Sequence, residues 1–530
     1  MSTLMKPGMA AEPVASEELL EFLERPKSYP HPTTSVERIE THISWVFLTD
    51  TEAYKFKKPV RFEFLDFSTA ELRRAACEAE VRLNRRLAGD VYLGVVAVSR
   101  AENGQLEFEG TGTPLEYGVR MRRLPAEHTL DRLIHGGNLT EKRLEPLAEH
   151  LTRFYCNAAP LVLSADTYRA GIEQHVRANQ AELADSRHGF DPRLVQRVHA
   201  AQLQVLRLRA DWFIERVCDG RIIDGHGDLR PEHICLGRTQ DEPPAVFDCL
   251  EFNDEFRRID VADELAFLGM ECDFLGAHEV GTRLWKHYAA QASDHPPAPL
   301  LEFYRAYRAC VRAKVAALRG EQLAGEDRRK ALHQSTEYLR LADRYTAPLG
   351  PPLLLVVRGL AGSGKSTLAG AVAETLGASV LSTDTLRNES PPVKDRYSLA
   401  ARHAVYQRLL ERASDLLSEG LSVVLDGTFL RREWREQALM LGRRHGAHVR
   451  IFRCECSPNV ARERITARLA AGGSDSEARP ELLDIQQREE EPDAATRLSS
   501  KIDSTLALAA QVELIEQALG SASGLSGPDL

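Results

Sequence analysis

The sequence lacks the features of a secreted or membrane-embedded chain. No apolar stretch in its 530 residues reaches the roughly 20 residues that a membrane-spanning helix needs. The N-terminus has no basic segment followed by an apolar core, which is the pattern of a secretion signal. The nine cysteines are odd in number and scattered, without the paired spacing of a metal site, so we expect reduced thiols. These absences together predict a cytoplasmic protein that does not bind membranes.

An excess of positive charge is missing as well. The chain has 68 Lys and Arg residues against 78 Asp and Glu residues, a formal net charge of −10. Such a balance disfavours broad affinity for nucleic acids or anionic membranes and weakly favours a small-molecule partner. Nothing in the sequence indicates an oligomeric state. The composition, 43% hydrophobic and 28% charged, is that of an ordinary globular protein, and the length predicts two or three domains.

The stretch Leu353–Thr367, LLLVVRGLAGSGKST, carries the most specific motif. It joins an apolar run, typical of a buried parallel strand, to a loop with G-x-x-x-x-G-K-[ST] spacing. The candidate nucleotide-binding residues of this loop are Gly359, Gly362, Ser363, Gly364, Lys365, Ser366 and Thr367. Glycines let backbone N–H groups close around phosphate oxygens, the lysine adds a point charge, and the Ser366 hydroxyl can hold Mg²⁺. ATP with Mg²⁺ is therefore the expected ligand.

After this loop, helices and apolar strands alternate, which predicts a parallel sheet covered on both faces, a doubly wound P-loop domain. Asp426 ends the apolar run LSVVLD, where a carboxylate can reach the Mg²⁺ shell, although a strand-ending turn aspartate is the alternative. Asp384 and Arg387 follow the predicted strand near Ser379. Ligands of open α/β sheets bind outside the carboxyl ends of strands, so we expect this pair to face the phosphoryl acceptor.

A basic helix follows the last of these predicted strands. Arg462, Arg464 and Arg468 lie on it, and a loop rich in glycine and serine comes next. Such a helix can close over a triphosphate and neutralise charge during transfer. Most of these arginines are expected to be solvated, and Arg464 or Arg468 is the predicted phosphate contact.

The acceptor of this domain is predicted to be a small molecule because features of a nucleic-acid groove are sparse. The acidic run Arg488–Asp493 would repel phosphate near the cleft. The aromatic residues are spread apart, at Tyr397, Tyr406, Phe429, Trp434 and Phe452. The counter-argument is a set of arginines that could line one helix face, at Arg431, Arg432, Arg435, Arg443 and Arg444.

The N-terminal part places strands first and helices after, which favours a two-lobed arrangement over repeated βαβ units. Strands are predicted over Ile43–Leu48 and Ala53–Val60, with Lys55 and Lys57 on one face of the second. A helix is predicted over Thr69–Leu87, and its apolar face is formed by Leu72, Ala76, Ala79, Leu83 and Leu87. Glu80 lies beside that face and needs a cationic partner, for which Lys55 is the natural candidate and Lys57 the alternative.

A second constellation lies in IIDGHGDLRPEHICL and AVFDCLEF. His226, Asp228 and His233 are predicted on a loop, and Asp248 and Glu251 at the end of a short strand. An aspartate on a catalytic loop and a second one after a hairpin form the pattern that kinases use: one positions the acceptor hydroxyl and the other holds Mg²⁺.

On these residues, positions 35–345 resemble the aminoglycoside phosphotransferase family, protein-kinase-like enzymes that phosphorylate small molecules. The resemblance implies that Asp228 is the catalytic base, Asp248 a Mg²⁺ ligand, and Lys55 the phosphate-pairing lysine with Glu80 as its partner. His233 stands where that family has a metal-binding asparagine, and an imidazole more often binds softer ions than Mg²⁺.

The C-terminal domain resembles P-loop kinases such as polynucleotide 5′-kinase, chloramphenicol phosphotransferase and gluconate kinase. That resemblance implies that Asp384 is the base for the acceptor hydroxyl and that Arg387 contacts the acceptor or the transition state. Together the two parts look like bacterial fusions of an aminoglycoside phosphotransferase-like domain with a P-loop domain.

These observations predict five segments and one activity. The segments are a flexible lead-in, a kinase-like domain, a proline-rich linker, a P-loop kinase domain and a flexible tail, at 1–34, 35–345, 346–352, 353–519 and 520–530. The activity is ATP-dependent phosphoryl transfer to a hydroxyl of a small polar metabolite, with two nucleotide-binding domains. The alternatives are a nucleotide-regulated ATPase or binding module whose N-terminal domain is idle, and a polynucleotide 5′-hydroxyl kinase.

Overall fold

The computed structural model describes residues 14–62, 65–239, 242–389, 398–471, 479–492 and 498–520, and the chain is mixed α/β. Strands β1 to β17 span Glu37–Glu40, Ser44–Leu48, Glu52–Lys57, Arg61–Phe62, Leu65–Asp66, Tyr92–Arg100, Leu106–Phe108, Thr113–Arg122, Ile222–Asp224, Ile234–Cys235, Ala245–Val246, Arg258–Asp260, Leu353–Arg358, Ser379–Ser382, Val423–Gly427, His448–Glu455 and Ser499–Asp503. Helices α1 to α18 span Val14–Glu24, Ala70–Asn84, Leu130–His135, Glu141–Asn157, Ala165–Leu183, Pro192–Leu208, Ala210–Cys218, Val261–Phe274, His278–Ala292, Ala298–Gln322, Gly325–Thr346, Lys365–Leu376, Thr383–Asn388, Leu399–Ser418, Arg432–Arg444, Pro458–Ala471, Pro480–Glu489 and Leu508–Gly520.

The chain forms two compact units, each built from two stretches of sequence. Unit 1 contains Met1–Ser164 and Glu215–Pro297, and unit 2 contains Ala165–Ile214 and Ala298–Leu530. The predicted linker at 346–352 remains a sequence-based boundary, and helices that precede it, α10 and α11, group with the P-loop region in unit 2. Among the described helices, none combines the length and apolarity needed to cross a membrane.

Unit 1 contains a six-stranded antiparallel sheet in the order β1-β2-β3-β8-β6-β7. The strands predicted over Ile43–Leu48 and Ala53–Val60 are confirmed, with slightly different bounds, as β2 and β3. Lys55 and Lys57 lie on β3, and because side chains alternate along a strand they project from the same face. The sheet therefore delivers two ammonium groups to one side.

The lead-in is not loose where the structure describes it, which corrects the prediction for 14–34. Helix α1 packs against the sheet, with Leu23 fully buried. Tyr29 stacks edge-on against Tyr54, with ring centroids 4.9 Å apart. The physical reason is that apolar side chains at Leu19, Phe22 and Leu23 share one helix face and bury it in the same cluster.

The predicted buried face of helix α2 is confirmed at Leu83 and wrong at Leu72. Leu72 is exposed, with 41% of its surface accessible, whereas Glu80 is fully buried. The buried positions of the helix are Arg73, Cys77, Glu80, Val81, Leu83 and Asn84. Charged residues can occupy this face because they are paired: the Arg73 guanidinium, for example, donates to Glu116 at 2.9 Å.

Unit 2 contains a five-stranded parallel sheet in the order β14-β15-β13-β16-β17, which fits a P-loop NTPase-like domain. Its central strand β13 is buried along its whole length. Alternate side chains enter different clusters: Leu354 and Val356 pack beside α14 and α15, and Leu355 and Val357 pack beside α12 and α18. The continuous apolar run in the sequence is thus explained by burial on both faces of the sheet.

Candidate functional site

The phosphate loop lies between the end of β13 and the start of α12. Gly364 has φ 84° and Gly362 φ 78°, a backbone conformation that residues with a Cβ rarely adopt. A Cβ on Gly362 would lie 2.4 Å from the Ala461 carbonyl oxygen, so this position has no room for a side chain. Helix α12 begins at Lys365, and the N–H groups of a first helical turn have no partner inside the helix. The loop therefore presents backbone donors suited to an anion.

The side chains of the loop divide into inward and outward groups. Only 9% of the surface of Lys365 is accessible, and the residue forms no ion pair with any described residue. The Ser363 hydroxyl is buried and likewise lacks a hydrogen-bond partner among the described residues. Ser366 and Thr367, in contrast, are exposed. An ammonium without a counter-charge, on a largely buried side chain, fits an anionic ligand that supplies the missing charge.

Asp426 lies within β15, opposite Val357 of β13. It is 4% accessible, and its Oδ1 atom is buried without a hydrogen-bond partner in the described structure. An unsatisfied carboxylate oxygen fits a divalent cation, because Mg²⁺ prefers oxygen ligands. The residues present here, the Asp426 carboxylate and the exposed Ser366 hydroxyl, therefore suit Mg²⁺.

Asp384 and Arg387 lie at the same edge of the sheet as Asp426. Ser382, the last residue of β14, is the register partner of Asp426, and Asp384 follows in the first turn of α13. The Arg387 guanidinium donates to Asp384 Oδ1 at 2.5 Å. The next strand ends in Gly427, where a Cβ would lie 3.2 Å from the Tyr406 hydroxyl. The prediction that Asp384 sits at the carboxyl end of a strand is confirmed.

The two arginines of α16 differ in their surroundings. Arg464 donates to the Ser504 hydroxyl at 3.1 Å and to the Ser504 carbonyl at 2.8 Å. Its Nη1 lies only 3.3 Å from where a Cβ of Gly364 would be, so it borders the phosphate loop. Arg468 has two guanidinium nitrogens that are buried without a partner among the described residues. The glycine- and serine-rich segment after this helix, 472–478, lies outside the described residues.

In unit 1, five charged side chains meet beside the sheet. The Lys55 ammonium lies 2.9 Å from Glu80 and 2.6 Å from Asp248. The fully buried Lys57 ammonium contacts both Glu80 and Glu251. The sequence left open which lysine pairs with Glu80, and the structure shows that both do. The network joins the sheet and α2 to the segment after β11.

The pKa values of this network follow from burial and pairing. Burial alone would raise the pKa of Glu80, but Lys55 and Lys57 outweigh it and lower that pKa below its usual range. Burial would lower the pKa of Lys57, but Glu251 and Glu80 raise it above the ordinary value. For Glu251, burial dominates and the pKa is raised. Both lysines are therefore held in their charged forms.

The loop that carries Asp228 is held by a buried glutamate that sequence reasoning missed. Glu264, on α8, accepts from the backbone N–H groups of His226 at 2.7 Å and Gly227 at 2.6 Å. It also accepts from the Tyr155 hydroxyl at 2.9 Å. Asp228 itself is 28% exposed and receives a 3.0 Å contact from Arg230. Glu264 fixes the loop that presents Asp228.

Two related proteins cover most of the chain. The uncharacterized proteins Mb2027c of Mycobacterium bovis and Rv2004c of Mycobacterium tuberculosis are each 37% identical over 469 residues, 84% of this chain and 90% of theirs. This chain belongs to their family. A family described as AAA domain matches residues 354–492, the part that contains the phosphate loop, Asp384 and Asp426.

Solved structures of kinases align with about a third of the chain. A sugar kinase from Janibacter is 20% identical and covers 33% of this chain and 99% of its own, with a TM-score of 0.27. A gluconokinase from Sinorhizobium meliloti is 22% identical and covers 33% and 93%, with a TM-score of 0.24. At such low TM-scores the likeness says nothing about what this chain does.

This chain therefore has two candidate sites, and the residues that sequence reasoning missed share one property. Glu264 and Arg230 lie within segments noted in the sequence, but neither belongs to a contiguous motif like the phosphate loop. Asp260, the last residue of β12, has a structural role: it is the N-cap of α8 and pairs with Arg216 at 2.6 Å. The available signal was an acidic residue within an apolar helical run, ELAFL, which indicates a buried partner.

Proposed function

We propose that this protein is an ATP-dependent phosphotransferase whose P-loop domain in unit 2 transfers the γ-phosphoryl group of ATP to a hydroxyl of a small polar metabolite. The observation that supports this proposal is the meeting of two kinds of residue at one sheet edge. Lys365 has no ion pair and the Oδ1 atom of Asp426 has no hydrogen bond among the described residues, while Asp384 and Arg387 lie at the end of the neighbouring strand. A nucleotide site and an acceptor site are thus adjacent.

The proposed step is an in-line displacement. The acceptor hydroxyl oxygen forms a bond to the γ-phosphorus while the bond from that phosphorus to the β–γ bridging oxygen breaks, and ADP leaves. The hydroxyl proton passes to the Asp384 carboxylate. The Arg387 guanidinium, 2.5 Å from Asp384, holds the carboxylate in place. Lys365 and the first-turn N–H groups of α12 stabilise the charge that develops on the phosphate oxygens.

Mg²⁺ would be held by Ser366 and Asp426. When bound, it supplies neutralisation of phosphate charge and Lewis acidity. Arg464, which borders the loop, is the proposed additional phosphate contact, and Arg468, with two unpartnered nitrogens, is its alternative.

The proposal assigns a second, protein-kinase-like arrangement to unit 1. Lys55, Glu80, Asp228 and Asp248 come from four separate segments and converge beside the antiparallel sheet. Asp248 has φ 61°, an uncommon conformation for a residue with a side chain, and such strain clusters at functional sites. This geometry supports a second phosphate-facing site, in which Asp228 would face an acceptor hydroxyl.

Incubation of the full chain with γ-labelled ATP and a metabolite extract tests the main proposal. We expect label in a small phosphorylated product and the loss of that product in a Lys365→Ala chain under the same conditions; label that persists there and disappears when Asp228→Asn is added belongs to unit 1. ATP hydrolysis by the unchanged chain with no labelled acceptor would favour the regulatory ATPase. Label on 5′-hydroxyl oligonucleotides alone would favour the polynucleotide kinase.

A further inference from the structure

The unit 1 cluster was expected to hold Mg²⁺ between Asp248 and His233. A metal site needs donor atoms whose lone pairs are available, with Mg²⁺ about 2.0–2.1 Å from each oxygen. The expected ligands do lie close together: His233 Nε2 is 3.5 Å from Asp248 Oδ2, and Asp228 Oδ2 is 3.5 Å from His233 Nδ1. The decisive point is what else these atoms bind.

The hydrogen bonds of His233 fix its tautomer. Its Nδ1 lies 2.9 Å from the Asp228 carbonyl oxygen, which can only accept, so Nδ1 carries the proton. In the neutral ring Nε2 is then an acceptor, and the Arg230 Nη2 group donates to it at 3.0 Å. The lone pair that a metal would need is therefore directed at a guanidinium.

Arg230 binds every other carboxylate on this side of the cluster. Its Nε donates to Asp228 Oδ2 at 3.1 Å, its Nη2 lies 3.0 Å from the same oxygen, and its Nη1 contacts Glu232. The side chain is 14% exposed, so it is held inside the cluster and not in solvent. A guanidinium is planar, permanently charged and able to bridge several acceptors, which suits it to this position.

The remaining carboxylates are paired with the lysines. Asp248 Oδ1 lies 2.6 Å from Lys55, and Glu80 contacts both Lys55 and Lys57. Each carboxylate around His233 already has a cation of the protein beside it. A divalent ion between Asp248 and His233 would have to displace Arg230 and would lie close to a positive charge.

We infer that Arg230 is a built-in cation that takes the place of a divalent metal, and that the Asp248–His233 pair of unit 1 holds no Mg²⁺. The inference rests on the proposed function in one respect: it takes the charged residues of the unit 1 cluster to face a phosphate group. It predicts a latent metal site: removal of the guanidinium frees His233 Nε2, and this nitrogen together with the Asp248 carboxylate offers nitrogen and oxygen donors suited to Mn²⁺.

Manganese binding, measured by electron paramagnetic resonance with the full chain in excess over the metal, tests this inference. Lys365→Ala combined with Asp426→Asn serves as the background, so that neither nucleotide nor metal at the phosphate loop contributes, and each sample is measured with and without ATP. We expect no protein-bound Mn²⁺ in the background chain and one bound ion per chain after Arg230→Gln is added. Arg238→Gln, a change at an exposed arginine of the same unit, is the matched control and should bind none.

The outcomes separate this inference from the proposed function. One Mn²⁺ bound by the background chain would overturn the inference, and this outcome does not depend on whether the Arg230→Gln chain folds. A folded Arg230→Gln chain that gains no Mn²⁺ would overturn it as well. Phosphoryl transfer by the chain with an intact Lys365 is a separate measurement, so a failure of the proposed kinase activity would be recognised independently.

Discussion

The two candidate sites contain the same kinds of residue and differ in how far these are paired. At the phosphate loop, Lys365 has no ion-pair partner and Asp426 Oδ1 has no hydrogen bond among the described residues. In unit 1, Lys55 and Lys57 each contact two carboxylates. Buried groups left unpaired are costly unless a ligand completes them, whereas a paired network is complete without one. Pairing, and not residue type, therefore distinguishes the site whose charges need a ligand to complete them from the site whose ion pairs are already complete.

The strongest way to break this comparison is to remove the unpaired ammonium. Lys365→Ala should reduce ATP turnover by about 10³-fold or more, because the charge lies where phosphate oxygens become more negative during transfer. Steady-state turnover of the full chain measures this loss. Lys501→Ala, at an exposed lysine on the same sheet, is the control and should leave turnover unchanged. Unchanged turnover in Lys365→Ala would mean that the loop is not the site of ATP turnover.

Asp384→Asn separates the acceptor side of unit 2 from its nucleotide side. We expect phosphoryl transfer to fall by about 10²–10³-fold while ATP affinity stays nearly intact, because the base acts on the acceptor hydroxyl and not on ATP. Equilibrium nucleotide binding and transfer rate are measured on the same sample. Asp415→Asn, at an exposed aspartate of α14, controls for loss of charge. A parallel loss of ATP binding would place Asp384 in the metal shell instead.

Breaking the paired network of unit 1 should act on stability and not on turnover at the phosphate loop. Lys57→Met leaves Glu80 and Glu251 buried without that ammonium, and such a change costs about 3–5 kcal/mol. Denaturant unfolding of the full chain measures it. Lys58→Met removes a neighbouring lysine whose partner Glu40 is exposed, and should cost less than about 1 kcal/mol. Equal effects of the two changes would show that burial of the network contributes nothing.

A smaller effect is expected from acid. Burial is the main cause that lowers the pKa of His226 from 6.5 to about 4, so the ring is neutral in the folded state. A depressed histidine pKa means that the unfolded chain binds the proton first. The contribution of the neutral His226 ring to the free energy of unfolding is therefore present above pH 6.5, and it is lost as the pH falls toward 4. Between pH 6.5 and about pH 5 this amounts to about 2 kcal/mol.

His199 makes the acid test a comparison between the units. Burial also lowers its pKa to about 4, and it lies on α6 in unit 2. When unfolding is measured across pH, His226→Gln should abolish the decrease in the free energy of unfolding that acid causes in unit 1. The decrease in unit 2 should remain. An unchanged acid profile in His226→Gln would contradict the assignment of a neutral buried ring.

The sequence predicted the phosphate loop and its neighbours well because their signals are local. The motif around Lys365 is contiguous, and the carboxyl ends of parallel strands meet at one edge, so Asp384 and Asp426 were expected near it. The buried face of α2 was predicted only in part, because periodicity treats burial as apolar: Leu83 is buried, but Leu72 is exposed. A lysine partner for Glu80 was expected, but the spacing of residues could not show that Lys55 and Lys57 both pair with it. Arg230 escaped notice for the same reason, since its role depends on where His233 points.

The P-loop domain contains many basic residues, but fewer of them are available to bind nucleic acid than their number indicates. Arg435 is 3% accessible and donates to the carbonyl oxygens of Phe429 at 2.7 Å and Leu430 at 3.0 Å. It therefore cannot line an exposed helix face with its neighbours. The acidic run is paired as well: Glu489 lies 2.5 Å from Arg402, and Glu490 2.8 Å from Arg358. Asp493, at the end of that run, lies outside the described residues.

The smallest expected effect is accordingly the response to a 5′-hydroxyl oligonucleotide. A protein that tracks a phosphate backbone loses affinity steeply as salt rises, because each neutralised phosphate releases counterions. With Arg435 turned inward and Glu489 and Glu490 beside arginines, we expect weak binding and no phosphorylated ends. Titration of the full chain across salt concentrations, followed by an end-labelling assay, measures both. Tight binding that weakens steeply with salt, together with labelled 5′ ends, would replace the small-molecule acceptor with a nucleic-acid end and bring the phosphate loop nearer to polynucleotide kinases in function.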